Sequence, residues 1–355
     1  MLHSKIWVLS IIFTIYMCLT LLWARNGGDE GPLYYLRRPI YLFVFLGLTV
    51  ELAERYPQFG RYLFKTVCWG AAITAVISIF LMYPDVFMRD SRLRHVAHQL
   101  NSPIEGGGVY GLTVFFTYFF LFKNRARNYE WVYVGLAGLF LLTMVLTKSR
   151  GPLIAFSVTG VLCGLITRDT KVLVTLIAIA IAVVTLSNGG NFGKRIFSLE
   201  TGRFELAKRL IEESQDSLVF GRGISTDTRF TLKDGRTRPH GHNAYLGTLF
   251  KGGLVGLFLL LSVIGVGFYE SFRYFLKTKN ITYFALLLFG SICIISGEDK
   301  LLTHPDALWL IFWLPLGLIA GEEVKRKVAL SYSSPTPSQA KPNSPLHTSR
   351  QTQNV

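Results

Sequence analysis

Apolar residues in this chain come in long unbroken blocks separated by polar connections, with neither a single helical stripe nor strict alternation. The blocks fall near residues 5–23, 39–54, 66–85, 107–122, 130–147, 151–167, 171–187, 243–268, 281–297 and 305–321. A bilayer core about 30 Å thick takes roughly 20 apolar residues per helix, so the pattern predicts about ten transmembrane helices. The block at 39–54 is short and carries Glu51 and Glu54. Backbone groups in lipid must be satisfied within the segment or by a closed barrel, and barrel-type alternation is missing. The predicted class is therefore an all-α polytopic membrane protein. The opening MLHSK and the apolar run after it lack a small-residue cleavage site, so the first block reads as a retained helix.

Two connections are long: 85–106, and a stretch from Asn188 to Pro239 that runs on to the block at 243. The predicted organisation is one transmembrane domain, 1–330, bearing a long, partly helical loop at 188–242. The tail 331–355 is rich in Ser and Pro and too poor in apolar residues to fold, which predicts a disordered cytoplasmic segment. Within the loop, TGRFELAKRLIEESQDSLVF predicts an amphipathic helix with Phe204, Ala207, Leu210 and Ile211 on one face. Thr201 is a candidate cap, and Glu205 and Arg209 form a supporting i,i+4 pair. An even number of spans places both termini on one side. That side carries 15 Lys and Arg near the membrane against nine in the opposite short loops. Leaving out the long loop, which holds ten more, the positive-inside rule puts the termini in the cytoplasm, and including it reverses the orientation. The reading adopted is termini inside, since a basic loop can be translocated where its charge serves binding.

Composition sharpens this picture. Hydrophobic residues make up 50% of the 355, and the formal net charge is +15. The charge sits in connections between spans, which points to phospholipid headgroups and anionic substrates. No basic motif interleaved with aromatics appears, so nucleic acid is not a predicted partner. The four cysteines all fall inside apolar blocks without metal-ligand or disulfide spacing.

Three stretches carry candidate chemistry. In TKSRGPLIAF, Arg150 precedes Gly151 and Pro152 at a helix start. Free N–H groups beside an arginine make a phosphate pocket; an arginine at a membrane boundary also simply snorkels. In the loop helix, Arg203 sits in the first turn, where the helix dipole disfavours a cation. That placement fits either an anion site or a solvated surface residue. In RPHGHNAYLG, His240 and His242 stand where the chain re-enters an apolar block. An imidazole there suits proton removal from a sugar hydroxyl, or serves as a cap for the following helix. No HExxH, CxxC or DxD pattern occurs, so neither a catalytic metal nor any other cofactor is predicted. Gly252 and Gly256 suggest close helix packing.

In order, these pieces are a TKSRG turn, a loop helix opening with an arginine, the turn Gly221-Arg222-Gly223, and HNAYL before the glycine-rich KGGLVGLFLLL. Over roughly residues 105–320 the ordered set resembles the O-antigen ligase superfamily of bacterial inner-membrane glycosyltransferases. The resemblance implies a metal-independent, inverting transferase whose catalytic loop faces the periplasm. It further implies a glycan donor on undecaprenyl pyrophosphate and, in ligases, a lipid A–core sugar as acceptor. By motif, Arg150, Arg203 and His242 are the implied catalytic residues, with Arg222, Arg236, Arg238 and His240 as candidate substrate contacts. Members of the superfamily usually have more spans than the ten counted here, and Lys208-Arg209 makes this loop helix more polar than the family pattern. An O-antigen polymerase shares the donor chemistry, and an oligosaccharyltransferase acting on protein is a further relative. A transporter of lipid-linked glycans would need charges inside the spans, of which few are evident.

Overall fold

A computed structural model of the chain describes residues 4–24, 31–89, 91–94, 102–123, 130–168, 201–231, 237–238, 243–297 and 301–333. The helices are α1 (Lys5–Leu19, continued by a 3-10 turn at Thr20–Trp23), α2 (Pro32–Arg55), α3 (Phe59–Leu81), α4 (Pro103–Lys123) and α5 (Glu130–Leu146). They continue with α6 (Arg150–Thr167), α7 (Thr201–Ser214), α8 (Ala244–Thr278), α9 (Thr282–Cys293) and α10 (Leu314–Ser333). Single π turns stand at Pro84–Met88 and Trp309–Trp313. Among the described residues the regular strands are β1 (Phe230–Thr231) and β2 (Thr237–Arg238), paired antiparallel with Phe230 opposite Arg238.

Helices underlie every predicted apolar block except 171–187, which lies outside the described residues. Four of them, at Lys5–Trp23, Phe59–Leu81, Arg150–Thr167 and Ala244–Thr278, are long and apolar enough to cross a membrane. Their outward faces carry bare apolar side chains such as Ile15, Ile73, Phe80, Leu165 and Phe258. Water would penalise such a surface, whereas acyl chains accept it. One buried cluster is built by α3, α4, α5, α6 and α9, with Phe64 stacked on Phe116 at 4.1 Å between ring centroids. A second joins α1, α2, α8 and α10 around Phe13, Leu260 and Trp313. Small residues let the backbones approach: Gly317 and Gly321 of α10 lie against Thr49 and Ala53 of α2.

The end of the bundle that holds the N-terminus is pinned electrostatically. Ser4 caps α1 by accepting from Trp7 N–H at 3.2 Å, and its hydroxyl donates to Glu323 at 2.7 Å. The same carboxylate accepts from Lys5 N–H at 3.1 Å and from Lys327 at 2.6 Å. A negative group at a helix N-terminus meets both the orphan N–H groups and the favourable end of the dipole. Burial by itself would raise the Glu323 pKa, but the donors from Lys327, Ser4 and Lys5 outweigh it and hold the carboxyl below its usual range. A depressed carboxylate contributes stability above its ordinary pKa, and the contribution disappears as pH falls through the depressed value. Thermal unfolding in detergent should therefore find Glu323→Gln destabilised by about 1–3 kcal/mol at neutral pH, with the gap to wild type closing as the buffer is acidified.

α10 runs to Ser333, just past the predicted start of the tail at 331; residues 334–355 lie outside the described set. The loop helix forms as predicted, from Thr201 to Ser214, and Glu205 meets Arg209 at 3.7 Å. Its buried face differs from the expected one. Leu206, Leu210 and Ser214 are buried, while Phe204 is 79% exposed and Ile211 is also exposed. The helix makes one narrow seam, in which Leu206 and Leu210 pack on Phe250 and Leu246 of α8, and this seam follows an i,i+4 line. The amphipathic pattern alone chose the wider apolar arc.

Candidate functional site

α8 is a broken helix. Gly253 leaves helical space at φ 64°, ψ −164°, splitting the run into 244–252 and 254–278. The second part rises about 37 Å at ~1.5 Å per residue, enough for the bilayer core alone. The first part is a separate, mostly buried segment. A break inside a membrane protein leaves backbone groups that need partners. Here the loop supplies them. Leu254 N–H donates to Leu218 O at 2.8 Å and Val255 N–H to Val219 O at 3.2 Å. In return Arg222 N–H reaches Phe250 O, and Gly223 N–H reaches Lys251 O, each at 2.9 Å. Tyr16 of α1 adds a hydroxyl donor to Gly252 O at 2.7 Å. Residues 218–223 are thereby stitched across the break. The fit requires Gly221 and Gly253 to face each other backbone to backbone. Both sit at positive φ, and a Cβ on either would overlap the other strand of this clasp.

The clasp fixes the start of α8, which follows directly on His242. Asn243 is its N-cap, accepting from Tyr245 N–H at 3.0 Å and Leu246 N–H at 3.1 Å. The capping role left open for His242 is thus filled by its neighbour. Ala244 N–H donates to Ile294 O at 2.9 Å, and Tyr245 hydroxyl to Ser291 O at 2.9 Å. Both bonds lead to the C-terminal end of α9.

The start of α6 leads to the same place. Lys148 closes the preceding turn at φ 48°, and Ser149 is the N-cap residue before Arg150. A Cβ on Gly151 would overlap the side chain of Ser296. The turn after α9, residues 293–296, therefore touches two helix starts: one begins with Arg150, the other follows His242. Arg150 itself is half-buried. Its turn is held from behind by Arg92, which donates to Thr147 O at 3.0 Å and to Ser149 Oγ at 2.6 Å. Ser149 Oγ in turn donates to Pro103 O at 2.8 Å. Arg92→Ala leaves these groups without their donor and loosens the turn. A shift of about 1 Å at a reacting centre costs up to ~100-fold in rate, so the variant should lose activity more than tenfold with unchanged membrane levels on immunoblot.

Arg203 lies in the first turn of α7. Arg222 has structural partners. Its Nη2 donates to Glu213 O at 2.7 Å, its charge lies near Glu213 and Asp216, and its guanidinium stacks over Phe250 at 5.3 Å. It thereby caps the C-terminal end of α7 and ties that helix to α8. Arg238 lies in β2. Arg236, His240 and His242 lie outside the described residues. Among the described residues, no three His, Cys, Asp or Glu side chains group as metal ligands.

Two cations that the sequence places in a short connection and near a span end are buried. Arg38 of α2 is 7% exposed and Lys251 of α8 is 3% exposed. Both line a small cavity with Tyr35 and Thr248 beneath the short segment of α8. Arg38 donates to the Tyr34 hydroxyl and lies 3.8 Å from the centre of that ring. Ring stacking of this kind makes a guanidinium tolerable in an apolar setting. The available signal was Lys251 standing two residues before the glycine that breaks the helix.

Comparison with known proteins converges on the same region. The profile of the O-antigen ligase family matches residues 135–261, which hold the Arg150 turn, α7, the clasp and the HN start of α8. An O-antigen ligase of Pseudomonas aeruginosa is 25% identical over 331 residues, covering 92% of this chain and 80% of that protein. The ordered motifs, the helical membrane architecture and these matches point the same way: residues 135–261 are similar to the O-antigen ligase family, and most of the chain is similar to an O-antigen ligase.

Proposed function

We propose that the protein is an O-antigen ligase-type glycosyltransferase of the bacterial inner membrane. It moves a glycan from undecaprenyl pyrophosphate to a sugar hydroxyl of lipid A–core, without metal and with inversion. About ten spans hold the catalytic loop 188–242 on the periplasmic side. The observation that carries this reading is the convergence of two helix starts on the turn 293–296, one headed by Arg150 and one directly after His242.

The chemistry follows from the residue types. Breaking a sugar–pyrophosphate bond places negative charge on the leaving group, and preorganised cations lower the barrier by meeting that charge as it develops. Arg150 and Arg203 fill this role, since a planar guanidinium grips phosphate oxygens with two parallel N–H bonds. His242 accepts the proton of the acceptor hydroxyl while its oxygen attacks the anomeric carbon from the side opposite the pyrophosphate. The bond to the pyrophosphate oxygen breaks, and undecaprenyl pyrophosphate leaves with the electron pair. Arg236, Arg238 and His240 lie close in sequence and contact the donor glycan or its phosphates. Arg222 contributes by holding the end of α7 on α8. Both substrates are membrane-anchored, so a site built where a helix re-enters the bilayer is where they meet.

The test is a lipopolysaccharide gel of a deletion strain complemented with wild type, Arg150→Ala or Arg203→Ala. The proposal expects the entire ladder to vanish in the deletion and both variants while lipid-linked polymer accumulates. A single repeat still attached to the core would identify a polymerase instead. An unchanged gel would contradict both.

A further inference from the structure

We propose that the end of the bundle holding the N-terminus binds the phosphodiester of an anionic phospholipid, in a groove between the last turns of α8 and α10. The groove encloses about 500 Å³, within the ~300–1,000 Å³ of small-ligand pockets. Arg273, Tyr274 and Lys277 line it from α8, and Lys325, Arg326 and Leu330 from α10.

Three carboxylates also line this groove, and each already has a cation. Glu270 meets Arg326 at 2.6 Å, Glu322 meets Lys325 at 2.7 Å, and Glu323 meets Lys327 at 2.6 Å. Arg273 and Lys277 are different. Among the described residues neither makes an ion pair; Arg273 only lies over the Tyr269 ring at 6.0 Å. They stand four residues apart on α8 and face the same groove, an i,i+4 like-charge pair that destabilises a helix unless an anion bridges it. A phosphodiester between them supplies that anion.

The surroundings favour a lipid over free phosphate. The same stretch of α8 exposes Tyr269, Phe272 and Leu276, and α10 exposes Leu330. Because residues 254–278 rise about 37 Å against a bilayer core of about 30 Å, the last turn of α8 reaches headgroup level. An amphiphile satisfies the cations and the apolar rim together; inorganic phosphate satisfies the cations only. The groove is also remote from the loop site, since Arg273 lies about 30 Å along the helix from Gly253.

Native mass spectrometry of the full-length protein in a neutral detergent tests this, with phosphatidylglycerol and phosphatidylcholine offered in equal amounts. Each Lys or Arg near an anionic surface favours binding by about 1 kcal/mol. Phosphatidylglycerol should therefore be retained on the order of tenfold or more over phosphatidylcholine. Arg273→Gln with Lys277→Gln should remove the preference, and the charge-conserving pair Arg273→Lys with Lys277→Arg should keep it. Thermal unfolding of each variant confirms folding, and if the double variant is unstable the exposed Lys277→Gln alone must lower the preference. Equal retention of the two lipids, or a folded glutamine variant that still prefers phosphatidylglycerol, overturns the proposal. Displacement of phosphatidylglycerol by inorganic phosphate at comparable concentration makes free phosphate the occupant and also overturns it.

Discussion

Replacing His242 with alanine removes the glycan ladder from lipopolysaccharide while the protein reaches the membrane at its normal level. A positioned general base contributes about 10²- to 10⁴-fold to a transfer of this kind, and a loss of that size leaves no ladder visible on a gel. The folding cost is small because His242 is not the cap of α8: Asn243 accepts both N–H groups of the first turn. Activity and stability are thus separable at this position. Asn243→Ala has the opposite signature. It weakens the helix start by about 1 kcal/mol and lowers thermal stability along with activity. A His242→Ala protein that transfers glycan at the wild-type rate and level would remove the imidazole from the mechanism.

The second large effect belongs to the clasp. Gly221→Ala and Gly253→Ala each place a methyl group into the opposing backbone, at residues already held at φ 73° and φ 64°. Neither side can yield cheaply, because the atoms that would be hit are peptide groups hydrogen-bonded across the break. Strained backbone and overlap together cost about 1–3 kcal/mol each, and the bonds from 254 and 255 to 218 and 219 are lost with them. Both variants should show markedly less folded protein by fluorescence-detected size-exclusion chromatography, and the folded remainder should transfer poorly. Gly252→Ala is the control. It meets the flexible Met17 side chain instead of backbone, so its loss should be smaller. A Gly253→Ala protein as stable as wild type would mean that the break in α8 is not a fixed feature of the fold.

Much of this architecture was written in the hydrophobic pattern because lipid allows so few backbone solutions. Blocks of apolar residues had to be helices, and the described helices fall beneath them. The loop helix was legible from its Thr201 start and 3.6-residue period. Its seam was not, because Phe204 and Ile211 match that period as well as Leu206 and Leu210 do, and only contact with Phe250 selects among them. The break at Gly253 was hidden for a related reason. In KGGLVG three glycines look alike, yet Gly252 and Gly256 face α1 at close range, and Gly253 alone takes a left-handed backbone. Arg222 read as a candidate substrate contact because a cation in a cationic loop has no visible partner in one dimension. Glu213 and Asp216 become its neighbours only when α7 ends and the chain turns back. Arg150 and the HN start of α8 stand far apart in sequence, and the turn 293–296 that joins them carries no motif of its own.

Reconstitution with purified components tests the central claim most directly. The full-length protein in proteoliposomes receives undecaprenyl-pyrophosphate-linked glycan and lipid A–core, with EDTA present, and the product is resolved by mass spectrometry. The account predicts lipid A–core carrying the glycan through an inverted linkage, with undecaprenyl pyrophosphate released and no product from Arg150→Ala or His242→Ala. Transfer that requires an added divalent cation, or that joins one lipid-linked glycan to another and leaves lipid A–core unmodified, would contradict it.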